Sequence, residues 1–137
     1  MAILVDTGPL VAEADRGDAD HLRVRAFFAS NREPLLVPVT VLPEVCYLLG
    51  RRVGVTAEAA FVRSMGAREL TLEPVTVQDL ERVAELLETY ADARLDFVDA
   101  CVVAVAERLR INRVATLDHR DFGIIRPRHT AAFELLP

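Results

Sequence analysis

The stretch Ala2-Ile3-Leu4-Val5-Asp6-Thr7-Gly8-Pro9-Leu10-Val11 changes character twice. Ala2 to Val5 reads as a short buried strand, Thr7-Gly8-Pro9 stops it, and a helical stretch follows from Leu10 to Ala14. A strand that passes through a tight turn into a helix opens a βα unit, and the chain repeats that alternation. Helices are expected over Asp18 to Ser30, from a Thr40 cap to Arg52, over Thr56 to Arg68, Thr76 to Ala91 and Phe97 to Arg110. Strands are expected at Leu35 to Val37, Leu70 to Val75, Arg113 to Leu117 and Ala131 to Leu135. Strands separated by helices pair in parallel through crossovers, so the fold class is α/β: one doubly wound parallel sheet with helices on both faces.

Within that frame two helices carry the clearest patterns. Leu80, Val83, Ala84 and Leu87 follow the i, i+3, i+4, i+7 spacing of one buried face, while Glu81, Glu85 and Glu88 point elsewhere. Phe97 to Arg110 is apolar almost all round for its first ten residues, the mark of a helix buried on more than one side.

The 137 residues make one domain, 1–137, of ordinary size. A composition of 52% hydrophobic and 27% charged residues argues for a folded globule and against disorder. The longest apolar run, Val98 to Ala106, contains Asp99 and is far short of the roughly 20 residues of a membrane span. With no secretory pattern at the N-terminus, a cytoplasmic protein is expected. Cys46 and Cys101 then read as free, core-type thiols, and His21, His119 and His129 have no zinc-like spacing.

The net charge of −5 speaks against nonspecific phosphate binding by the whole surface. Glu107 to Arg128 runs the other way, with six arginines against three acids. The chain has no lysine, so every fixed side-chain cation is a planar guanidinium able to grip phosphate or carboxylate with two hydrogen bonds. This stretch is a candidate for holding a polyanion; solvated helix faces explain it equally well.

Four acids carry the functional argument. Asp6, Glu44 and Asp99 each sit alone in an apolar run, and Asp118 ends the run Val114-Ala115-Thr116-Leu117. A buried carboxylate without a partner costs several kcal/mol or shifts its pKa upward. In open parallel sheets the ligand crevice lies beyond the carboxyl ends of the strands, where Asp6 and Asp118 fall, and the two helix acids lie near helix N-termini. Two unit charges about 4 Å apart repel by roughly 4 kcal/mol at an effective dielectric near 20, so four clustered carboxylates require a cation. Hard divalent ions prefer such oxygen ligands, and Mg²⁺ or Mn²⁺ held this way activates water for phosphodiester hydrolysis.

Each acid also has a local explanation. Asp96 can cap the following helix, with Asp99 completing a capping-box-like pair; Asp6 can cap the turn at Gly8-Pro9; Asp118 can open a turn before His119-Arg120. Glu44 resists such a reading best, since its flanks are apolar. The triplet Asp6-Thr7-Gly8 occurs in aspartyl proteases, but the helical periodicities contradict their β-rich framework. Phosphate-accepting receiver domains place a lysine beside the acceptor, and this chain has none.

Taken in order, Met1 to Ala12, Pro43-Glu44, Phe97-Val98-Asp99-Ala100 and Thr116-Leu117-Asp118-His119-Arg120-Asp121-Phe122 resemble the successive motifs of PIN-domain ribonucleases, particularly VapC-type toxins of bacterial toxin–antitoxin pairs. The resemblance spans almost the whole chain. It implies a PIN-like single domain with a parallel sheet of about five strands and a metal-dependent endoribonuclease. It further implies that Asp6, Glu44, Asp99 and Asp118 bind Mg²⁺ or Mn²⁺ and position a hydrolytic water, with Thr116 helping through hydrogen bonding and Asp121 matching a more variable acid. Asp96 falls where the family varies and is kept as a cap. A homodimer and a cognate VapB-like antitoxin, whose tail occludes the acidic cleft, are also implied. The competing expectation is a noncatalytic PIN-like module whose acidic cleft holds a basic partner segment.

Overall fold

The computed structural model describes residues 1–67 and 70–137. Its centre is β1 (Ile3–Val5), paired on both edges, whose three side chains are buried because helices cover both faces of a parallel sheet. On one edge Ile3 and Leu4 align with Leu35 and Leu36 of β2 (Leu35–Pro38); on the other, Ile3, Leu4 and Val5 align with Arg113, Val114 and Ala115 of β4 (Arg113–Ala115). β3 (Thr71–Glu73) extends the sheet beyond β2, and β5 (Glu134–Leu136) extends it beyond β4. The order is β3-β2-β1-β4-β5, all parallel, matching the expected α/β sheet of about five strands.

The helices are α1 (Thr7–Ala14), α2 (His21–Ser30), α3 (Val41–Arg52), α4 (Val55–Gly66), α5 (Val77–Thr89), α6 (Phe97–Leu109) and α7 (His119–Ile124). Contacts join α1 to α2 and α3, and α3 to α4; α5 packs on α6. The chain steps outward from β1 to β3 and then returns past β1 to β4, so right-handed crossovers put α1–α4 on one face and α5–α6 on the other. As its composition foretold, α6 is buried continuously from Asp99 to Ala106. Cys101 lies in that segment and Cys46 is partly buried in α3, both as free thiols. No helix among the described residues is long and apolar enough to cross a membrane.

Several boundaries differ from expectation. Thr7-Gly8-Pro9 is the first turn of α1 and not a break before it, because first-turn N–H groups have no intrahelical acceptor and proline costs nothing there. The residues before His21 form turns, in which Asp18 and Asp15 side chains accept backbone N–H groups and compete with the helix. Gly54, at φ 140°, precedes α4 in place of a Thr56 cap, and the expected end of that helix at Arg68 lies outside the described residues. Thr40 precedes α3 without a side-chain cap bond. The short helix α7 was not anticipated; six residues with one buried aromatic, Phe122, carry too little periodicity to announce it.

Candidate active site

The strand order reverses between β1 and β4, and the crevice beyond their carboxyl ends is where a doubly wound sheet binds its ligand. A cleft of 420 Å³ lies there, lined by all four expected acids, Asp6, Glu44, Asp99 and Asp118, together with Asp96 and Asp121. Gly8 lets the two loops meet: a Cβ on it would stand 3.2 Å from Leu117 Cβ, tighter than ordinary packing.

Each acid reaches the cleft from its own element. Asp6 immediately follows β1 and is 5% exposed. It precedes α1 but makes no side-chain cap bond, so the expectation of a turn cap fails; its Oδ2 accepts a hydrogen bond of 2.9 Å from the Thr116 hydroxyl. Thr116 Oγ1 in turn accepts the Asp118 N–H at 3.0 Å, so one buried hydroxyl ties the β1 loop to the β4 loop. Glu44 stands in the first turn of α3 and is half-buried. Asp99 is the third residue of α6 and gives its N–H to Asp96 at 2.8 Å. Only this half of a capping box forms, which leaves the Asp99 carboxyl to the cleft. Asp118 does not merely open a turn: it caps α7, accepting the Asp121 N–H at 3.0 Å.

Burial without an internal countercharge leaves its mark on the acids. Desolvation, opposed by hydrogen bonds from Thr7 and Thr116 and reinforced by Glu44 and Asp96, pushes the Asp6 carboxyl up to about 6. Desolvation again leads at Asp99, where Asp6, Asp96 and Asp118 add repulsion and the carboxyl rises to about 8. Asp121 is also raised, first through its hydrogen bond with Asp118 and then by burial.

The tightest grouping is Asp99, Asp118 and Asp121, each offering one carboxylate oxygen within 4.8 Å of the others. Asp121, expected only as an auxiliary, therefore belongs to the closest trio, while Asp6 and Glu44 line the same cleft outside it. Asp96 both caps α6 and lines the cleft. The donor set is all oxygen, with neither histidine nor cysteine among the described lining residues, and burial leads the rise of Asp6 and Asp99. These residues fit a hard divalent cation. Arg94 also lines the cleft. Sequence reasoning missed it, since it lies in a polar turn without periodicity.

The arginine-rich stretch is largely tied to internal partners. Arg108 pairs with Asp79 at 3.0 Å and Glu73 at 3.2 Å, Arg113 with Glu33 at 3.4 Å and Glu134 at 3.2 Å, and Arg128 with Glu85 at 2.7 Å. Arg126 donates to the carbonyls of Gly123 and Ile125. Internal partners thus occupy most of these guanidinium groups, and only Arg110 and Arg120 stand without one among the described residues. The acidic partners come from β3, α5, β5 and the loop before β2, distant segments that linear charge counting does not connect.

A doubly wound parallel sheet with an acid cleft at its switch point is the architecture of the PIN domain, whose family matches residues 3–126; the chain belongs to this family. Ribonuclease VapC26 of Mycobacterium tuberculosis is 33% identical over 135 residues, covering 98% of this chain and 100% of that protein. The 23S rRNA-specific endonuclease VapC20 of the same organism is 30% identical over 116 residues, covering 85% of this chain and 88% of the relative. The crystal structure of VapC20, a sarcin-ricin loop cleaving toxin, superposes with a TM-score of 0.82 at 28% identity over 87% of this chain and 92% of that one. A VapBC2 structure from Rickettsia felis shares the fold at 14% identity, with a TM-score of 0.72 and full coverage of both chains. PIN nucleases are in general dependent on a divalent metal, and the buried acidic cluster is the corresponding feature here.

Proposed function

We propose that this chain is a divalent-metal-dependent endoribonuclease, the toxin of a VapBC-type toxin–antitoxin pair, acting as a single PIN-like domain through Asp6, Glu44, Asp99 and Asp118. The observation that carries the reading is the convergence of six carboxylates on one cleft at the sheet's switch point, in a chain similar to named ribonucleases. Mg²⁺ or Mn²⁺ is the cofactor, since both prefer oxygen donors. When bound, the cation lowers the pKa of an attacking water and neutralises charge on the phosphodiester.

The chain's own residues do the positioning. Asp99 and Asp118, with Asp121, offer the oxygens that hold the cation; Asp6 and Glu44 complete the donor set. Thr116 holds Asp6 Oδ2 and the Asp118 N–H in fixed relation. This orients two donors from different loops before any ligand arrives. RNA is the substrate, and a structured ribosomal RNA loop is the first one to assay, given the specificity of VapC20. The partners are a second copy of the chain and a VapB-like antitoxin whose tail occludes the cleft, in the cytoplasm.

The test is RNA cleavage with Mg²⁺, with Mn²⁺ and with EDTA, comparing wild type with Asp6→Asn and Asp99→Asn. Cleavage is expected to require the metal and to fall at least ~100-fold in either variant, the scale of losing a metal ligand or its orientation. Cleavage that persists in EDTA and in both variants would refute the reading.

A further inference from the structure

Arg94 is the one positively charged side chain among the described residues lining the cleft, against six carboxylates. It is exposed, and among the described residues it forms neither an ion pair nor a side-chain hydrogen bond. That is unlike Arg82, Arg108, Arg113 and Arg128, each held by an acid from another element. Its backbone is left-handed, at φ 59° and ψ 34°, where it ends the 3-10 turn Ala91–Ala93 and turns the chain toward Asp96 at the start of α6. Glycine adopts this conformation freely, whereas a residue with a Cβ costs about 1 kcal/mol there. An arginine is therefore kept at a backbone position that disfavours it, at the rim of an acidic cleft, without serving any of the acids.

Resting on the endoribonuclease reading, we infer that Arg94 grips a backbone phosphate of the RNA strand beside the acidic cluster. A polyanion entering this cleft meets carboxylates on nearly every side. A phosphate beside the acidic cluster has no other positive side chain to meet among the described lining residues. The guanidinium fork matches two phosphate oxygens, and a free one, not already bonded within the protein, is available without breaking a contact. Arg94 is thus a substrate-binding residue that sets where the strand lies relative to the acids.

The experiment measures binding of a fluorescein-labelled single-stranded RNA oligonucleotide by anisotropy across a salt series with Mg²⁺ present, in an Asp99→Asn background that suppresses cleavage. Arg94→Gln, Arg94→Gly and Arg94→Lys are compared, with KM and kcat measured separately in the wild-type background. Arg94→Gln and Arg94→Gly are expected to weaken binding roughly 5- to 20-fold and to lower the slope of log K against log salt by about 0.7, one single-strand phosphate contact. Arg94→Lys keeps the slope and recovers part of the affinity, because it keeps the charge and loses the fork. KM rises and kcat stays within about threefold, as for lost uniform binding. Arg94→Gly also relaxes the backbone, so an unchanged or higher Tm separates lost contact from lost fold. If wild type cuts RNA while Arg94→Gln and Arg94→Gly bind with unchanged affinity and slope, this inference alone falls. A drop in kcat with KM and slope unchanged overturns it in favour of a role at the reacting atoms. A wild type that neither binds nor cuts RNA overturns the nuclease reading and this inference together.

Discussion

Asp79 and Asp99 occupy the same position, third in their helices, and meet opposite fates. Asp79 of α5 closes a full capping box with Thr76 and receives Arg108 Nε at 3.0 and 3.1 Å from its two oxygens. Nearby, Glu107 accepts two bonds from Arg82, at 2.7 and 3.1 Å, and the Arg128 N–H at 2.8 Å. Burial alone would raise both acids, yet these hydrogen bonds and charges hold each below its ordinary value. Asp99 of α6 receives none of this, and burial beside Asp6 and Asp96 drives it to about 8. Buried acid answered by guanidinium is scaffold; buried acid left unanswered is where the proposed function places an external cation.

The two clusters separate most sharply on substitution. Asp99→Asn is expected to lose RNA cleavage by at least ~100-fold while its Tm in EDTA holds or rises, since it removes an uncompensated carboxylate. Arg108→Ala should do the reverse. It strands the buried Asp79 with only Thr76, costing about 2–3 kcal/mol in urea unfolding, with cleavage per folded molecule unchanged. An Asp99 substitution that costs stability, or an Arg108 substitution that costs catalysis with folding intact, breaks the distinction.

Their pH responses should also oppose. Asp6 and Asp99 rise from 3.8 to about 6 and about 8, so between these values the folded, metal-free chain holds protons that the unfolded chain has released. Their contribution to stability therefore falls as pH climbs from about 4 to 8. Asp79 and Glu107 lie below their ordinary 3.8 and 4.5, so their contribution is present above those values and is lost as acid is added. On the proposed reading Mg²⁺ binds the ionised cleft, and at a hundredfold excess over Kd it adds about 2.7 kcal/mol. Thermal unfolding should accordingly show a Tm rise of several degrees with Mg²⁺ at pH 8, much less at pH 5 and none in the Asp6→Asn/Asp99→Asn double variant. A metal shift equal at both pH values would contradict this. The smallest effect is expected from Glu85→Ala. Its pair with Arg128 is 54% and 62% exposed, and solvent screening keeps the loss within about 0.5 kcal/mol, as chemical denaturation would read it.

Much of this was legible in the linear chain because its signals are local. The apolar runs at Ile3–Val5 and in α6 report burial directly, and a lone acid in an apolar run is conspicuous wherever the run folds. In α5 the expected face of Leu80, Val83, Ala84 and Leu87 is off, since the helix turns Asp79, Val83 and Leu86 inward, where Arg108 meets Asp79, and leaves Leu80 exposed. Asp6, Glu44, Asp99 and Asp118 were found that way, and all four line the cleft. The arginines of 107–128 left two readings open for the complementary reason: a charge run shows its sign but not its partners. Asp121 and Arg94 gave no local sign, one on a helix too short to announce itself and the other on a polar turn.

By itself, then, the amino-acid order determined the α/β class, the parallel sheet and the identity of the four expected acids, since periodicity and isolated charge are properties of neighbours in the chain. Only the tertiary structure decided which acids keep company with arginine and which do not. That choice depends on contacts such as Arg82 with Glu107 and Arg108 with Asp79, spanning 25 and 29 residues. It also depends on Thr116 meeting Asp6 across 110 residues, where the strand order reverses and two loops are forced together.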